Sequence, residues 1–263
     1  MRRPGPLAFA VAALLLLPPG CGAGSSGGAP KVLPRATHDR PDDRGGRQIH
    51  FVYAVPGGRK ELDRRRDVDG TLTNSIVLID VWFRAQKRSP RLHIDTYRGR
   101  PDITFVHLPR ENFEYDRSGP DVLMRDVARA GGLHDPSKLY AVYYNGAPID
   151  SEPDVCGLGQ EAPHAFAFVF LAQSCDYDYT AAGFGDYNQL VFVMAHEVVH
   201  ELGFVSGCTP NSIGGGHVGD SKHDLMYPRI EGGVPVLDVH NDDYYLAHNG
   251  CPDLARSPYL TLH

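Results

Sequence analysis

The sequence predicts an α+β fold: a mixed, twisted sheet, one strongly marked helix and a loop-rich C-terminal part. Three observations point there. Strand-like runs rich in branched and aromatic residues alternate with helix-like stretches over the first two-thirds of the chain. Residues 185–203 form an apolar stretch bounded like a helix. After Gly203 the periodic apolar residues give way to Gly, Pro, Asp and His.

The N-terminal part of the 263-residue chain reads differently from the rest. Arg2 and Arg3 precede an apolar run from Leu7 to Leu17, and Pro18-Pro19-Gly20-Cys21 follows. This is the pattern of a secretory signal over residues 1–21, too short for a permanent membrane span. Cys21, after a small residue at the end of the run, can serve as a lipid-attachment site. Residues 22–47 are rich in Gly, Ser, Pro, Arg and Asp and are expected to form a disordered tether. Residues 48–263 are long enough for one domain with a full core. Net charge is −6 with both signs mixed, and no basic stripe points to nucleic acid.

Five cysteines leave one over in an exported protein. Setting Cys21 aside, the expected bridges are Cys156–Cys175, which closes a local loop, and Cys208–Cys251, which ties the segment after the marked helix to the C-terminus.

Within the domain, Ile49 to Pro56 (IHFVYAVP) reads as a strand. Leu72, Ile76, Ile79 and Phe83 recur at helical spacing. Asp67-Val68-Asp69-Gly70 before them lacks the spacing and closing Glu of a calcium loop, so it reads as a turn and helix cap. Residues 91–97 and 102–108 read as strands around the turn Arg98-Gly99-Arg100-Pro101. Residues 120–132 form a helix from Pro120 to Gly131-Gly132. Residues 138–144 and 164–171 are strands of aromatic and branched residues. The helix over 185–203 has Asp186 as its expected cap, with Gln189 three residues on, and Gly203 as its stop.

That last helix carries His196-Glu197-Val198-Val199-His200, an HExxH pattern. Positions four apart lie about 40° apart on a helix, so the two imidazoles stand side by side, as one tetrahedral zinc needs. Glu197 projects beside the pair. A carboxylate there can activate a zinc-bound water against a carbonyl and then protonate the leaving amine. The bland alternative is a solvated helical face. Leu190, Val191, Val193, Met194, Val198 and Val199 argue against it, because a helix so apolar is buried.

A catalytic zinc site needs a third protein ligand. Ser206 is a poor one, and Glu201 points about 100° away from the pair. His217, Asp220, His223 and Asp224 all lie in the following segment, GGGHVGDSKHDLMYP.

The string HVGDSKHDLMYP resembles the stretch of metzincin metallopeptidases that runs from the third zinc-binding His to the Met-turn. Leu225-Met226-Tyr227-Pro228 matches its end as matrix metalloproteinases have it, and HEVVHELG carries the metzincin glycine at Gly203. The resemblance is strong only over residues 196–228. It departs in the gap, since His217 is the fourteenth residue after Gly203 where metzincins place the third His at the third. In this respect the chain is similar to exported bacterial metzincin-like peptidases with a displaced third ligand.

The resemblance implies a metzincin-like zincin fold with an active-site helix and a loop-rich C-terminal subdomain. It implies zinc held by His196, His200 and His217, and Met226 beneath the metal. Asp220 and His223 stay as alternative ligands, and Tyr227 as an oxyanion donor. The expected activity is zinc-dependent hydrolysis of peptide bonds in a peptide or protein substrate. The expected location is outside the cytoplasm, secreted or anchored on the outer face of the bacterial membrane. Two rival expectations are a zinc-containing surface binding module without activity, and a zincin whose third ligand is a carboxylate.

Overall fold

The strand-like runs at 48–55, 138–144 and 166–170 become the inner strands of a mostly parallel sheet. The computed structural model describes residues 34–58, 63–149, 155–160, 166–171, 188–203, 205–230 and 233–263. In chain order the elements are β1 (Gln48–Val55), α1 (Thr71–Arg84), β2 (Arg91–Leu92), β3 (Thr96–Tyr97), β4 (Arg100–Pro101), β5 (Ile103–His107), α2 (Asn112–Ser118), α3 (Pro120–Gly131), β6 (Lys138–Tyr144), β7 (Gly157–Gln160), β8 (Phe166–Phe170), α4 (Gln189–Leu202), β9 (Ser212–Gly214), β10 (His217–Val218) and β11 (Leu260–Thr261).

Among the described residues the main sheet has the order β5-β1-β6-β8-β7. β1, β5, β6 and β8 run parallel, and β7 lies antiparallel to β8 at the edge. Every residue of β1, β6 and β8 is buried. A parallel sheet covered on both faces needs such unbroken apolar strands, so a clean two-residue alternation is absent. The α+β mixture is thus present, with a mostly parallel sheet.

α1 and α4 pack on each other through Trp82 and Phe192, whose rings meet edge-to-face at 5.8 Å. Gly132 and Gly203 close α3 and α4 in the left-handed conformation (φ 66° and 71°), as expected for glycines ending helices. The cap of α4 is Asn188, whose side chain accepts from the Val191 amide; Asp186 lies outside the described residues. The stretch 91–97 is not one strand of the main sheet. It divides into β2, which pairs with β11, and β3, which pairs with β4 around Arg98 and Gly99.

The C-terminal third is held by backbone bridges and a disulfide between Cys208 and Cys251, the pairing expected from the sequence. Cys156 is also in a disulfide, and its expected partner Cys175 lies outside the described residues.

Residues 34–47 fall in the expected tether, yet they lie on the sheet. Ala36 bridges Thr104, Arg35 reaches Asp63 and Asp67, and Arg40 pairs with the buried Asp102. The segment is held by charge pairs to residues distant in sequence rather than by apolar burial, which composition does not report. Asp39 and Asp42 bind the Lys138 ammonium at 2.6 and 2.7 Å, and Asp95 binds it at 2.8 Å. Asp95 also takes His50 Nδ1 at 2.7 Å, and His50 Nε2 meets Thr104 Oγ1 at 2.9 Å.

Burial pushes the Asp95 carboxyl up, but hydrogen bonds from His50 and Lys138 outweigh it and hold the pKa below its ordinary value. Its contribution to stability is therefore complete above about pH 4 and is lost as the pH falls through the lower folded value. Lys138→Met should cost about 3 kcal/mol by removing the only cation on the buried Asp95 carboxylate that does not depend on His50 protonation. It should also move the acid-unfolding midpoint, followed by circular dichroism, to higher pH. An unchanged midpoint would remove Lys138 from the network.

Candidate metal centre

α4 brings two imidazoles to one side and a turn from the C-terminal third fixes the first of them. His196 Nδ1 donates to the Leu225 carbonyl at 2.6 Å. A carbonyl can only accept, so Nδ1 carries the proton and the Nε2 lone pair is left for another partner. His200 Nε2 lies 2.9 Å from His196 Nε2 and 3.2 Å from His217 Nε2. Nitrogen atoms of all three rings lie within 4.8 Å of one another.

His217 arrives on the β9–β10 hairpin. Gly214, Gly215 and Gly216 all have positive φ (91°, 60° and 73°), a run that residues with side chains adopt only under strain. A Cβ on Gly216 would lie 2.6 Å from His200 Nδ1. Glycine is therefore required for this close approach.

The three imidazoles could hold one metal ion, and imidazole is a ligand that zinc accepts. Three imidazole nitrogens about 2.1 Å from one tetrahedral zinc lie about 3.4 Å apart, close to the spacings around His200. Neutral imidazole lone pairs facing each other at such distances repel unless a proton or cation lies between them. Burial drives the His196 pKa down to about 4. Burial, with the two neighbouring rings, drives that of His200 down to about 2. Burial lowers that of His217 as well. All three rings are thus neutral at ordinary pH, the state a metal ligand needs.

No model of a known protein family matches the chain. No curated protein matches it either.

Glu197 is 6 % exposed and directly follows His196 on α4. Burial and the nearby Glu201 raise its pKa well above the ordinary value. Its carboxylate packs against β7, where a Cβ on Gly157 would lie 2.0 Å from Oε1. A Cβ on Gly159, on the same face of the strand, would lie 2.7 Å from Glu201 Oε1 and 3.1 Å from His200 Cβ. The sequence reading missed this strand. Its only signal is a pair of glycines two apart, which in a strand marks close approach of another group.

The other ligand candidates lie elsewhere. Ser206 sits in a turn, its amide donating to Thr209 Oγ1. Asp220 is exposed and groups with Asp242 and Asp243, and His223 is exposed outside the imidazole cluster. Asp224 is buried with its oxygens turned to Met226, Val239 and Tyr244. Met226 is fully buried, and its carbonyl accepts from the Val218 amide next to His217. Tyr227 is half-buried. Asp39, His50, Asp95 and Asp102 also converge, but the cations of Lys138 and Arg40 already bind these carboxylates.

Proposed function

We propose that the chain is a zinc-dependent peptidase of metzincin-like type, hydrolysing peptide bonds with Glu197 as base. The observation that carries this reading is the convergence of His196, His200 and His217, with Glu197 buried on the same helix as the first two. Zinc held by the three imidazoles would supply Lewis acidity, lowering the pKa of a water to about 7 and polarising a carbonyl. The chain's own residues do the rest. Glu197 takes a proton from the attacking water and returns it to the departing amine. The turn at Leu225 holds His196 in one tautomer. Leu225 to Pro228, with Met226 buried by the site, supports the metzincin-like reading of the fold.

The choice of a peptide as substrate is supported by β7. Among the described residues it is one of the two edge strands of the sheet, and it lies against Glu197 and His200. An extended peptide can add to such an edge through backbone hydrogen bonds, which brings its carbonyls to the site. Export through residues 1–21, with Cys21 as a lipid anchor, belongs to the same proposal. The Cys208–Cys251 bridge supports it, since such bridges persist in oxidising compartments.

A mixed peptide library incubated with the purified chain tests the reading. Cleavage should occur, stop with a zinc chelator and return when zinc is restored. Zinc uptake with no cleavage of any peptide would favour a binding module instead.

A further inference from the structure

Residues 237–254, dense in Asp, His and Tyr, take no part in the chemistry above, yet they reach the site through one buried carboxylate. Asp224 is 1 % exposed. Its Oδ1 accepts from the Met226 amide at 2.7 Å and from the Tyr244 hydroxyl at 2.8 Å. Its Oδ2 accepts from the Val239 amide at 2.8 Å. A buried carboxylate is expensive unless donors satisfy it, and here three do.

The link from Asp224 to Met226 encloses Leu225, whose carbonyl accepts from His196 Nδ1. The same turn offers the Met226 carbonyl to the Val218 amide, next to His217. Tyr244 is itself fixed, because its oxygen accepts from the Asp238 amide at 3.0 Å. The Asp238 carboxylate in turn accepts from the amides of Tyr244 and Tyr245 at 2.7 and 2.6 Å. A continuous set of hydrogen bonds thus runs from the segment after Leu237 to the first imidazole.

We propose that Asp224, held by Tyr244 and Val239, is a positioning residue for the metal centre. It fixes the Leu225 carbonyl that orients His196 and the Met226 carbonyl that holds β10 behind His217. This rests on the metal reading of the three imidazoles. Groups that orient ligands in this way set metal affinity as well as ligand geometry.

The test is zinc affinity of the full chain, measured by competition with a chromophoric chelator, with the absorption spectrum of the cobalt form as a second readout. Asp224→Asn keeps one acceptor oxygen but turns an amide donor toward the Val239 N–H. It should bind zinc about 10- to 100-fold more weakly and shift the cobalt bands, while the metal-free chain keeps its circular dichroism. Tyr244→Phe removes only the hydroxyl and should weaken binding in the same direction by less. It decides the matter if Asp224→Asn does not fold. Wild-type zinc affinity and cobalt bands in a folded variant would overturn the role given to Asp224. A wild-type chain that takes up no zinc would overturn the metal reading, and this inference with it.

Discussion

Glu197→Gln should leave zinc content at the wild-type level and reduce peptide hydrolysis about 10²–10⁴-fold, the usual loss for a positioned general base. Glutamine has the same shape, so the packing against Gly157 is kept. It cannot take up a proton, so water activation and proton delivery to the leaving amine both fail. Folding should not suffer. Burial raises the Glu197 pKa, so its charged form is disfavoured there, and a neutral amide avoids that cost. Turnover of a cleaved peptide, with metal content measured on the same sample, checks both halves. Normal turnover would remove Glu197 from the mechanism.

Gly157→Ala should separate activity from stability. The added methyl would lie 2.0 Å from Glu197 Oε1 and 2.6 Å from its Cγ, so the glutamate must move. The clash reaches Cγ of a buried side chain, so some stability is lost, but Gly157 has no positive φ to strain and the melting temperature should fall far less than the activity. Catalysis is less tolerant. A displacement of about 1 Å at a reacting group costs on the order of 100-fold. The expected result is a fall of about that size in kcat with zinc retained. Unchanged kcat would mean that the carboxylate position seen against β7 is not the one used.

The sequence made α4 readable because a 3.6-residue period, an apolar surround and a terminal glycine all mark the same helix. His196, Glu197 and His200 follow from that period alone. β1, β6 and β8 were legible as apolar runs, although their parallel pairing depends on partners far along the chain. β7 was not legible. Four residues with two glycines carry no apolar pattern, and what places them is the space beside Glu197. The contacts of residues 34–47 were hidden for a related reason. Arg40 and Asp39 are ordinary surface residues until Asp102 and Lys138 are brought beneath them. Asp224 looked like one more candidate ligand, because nothing local shows that Val239 and Tyr244 occupy its oxygens. His217 could be singled out from its neighbours only through the resemblance, while its approach to His200 depends on the conformation of three consecutive glycines.

The most direct test of the central claim is the zinc content of the purified full chain, wild type beside His217→Ala and Asp220→Ala. Three imidazoles around one point predict one zinc per wild-type chain. Asp220→Ala should keep that stoichiometry, and His217→Ala should lose nearly all of it after dialysis. A wild-type chain without zinc, or a His217→Ala chain that retains its zinc while Asp220→Ala loses it, would contradict the assignment.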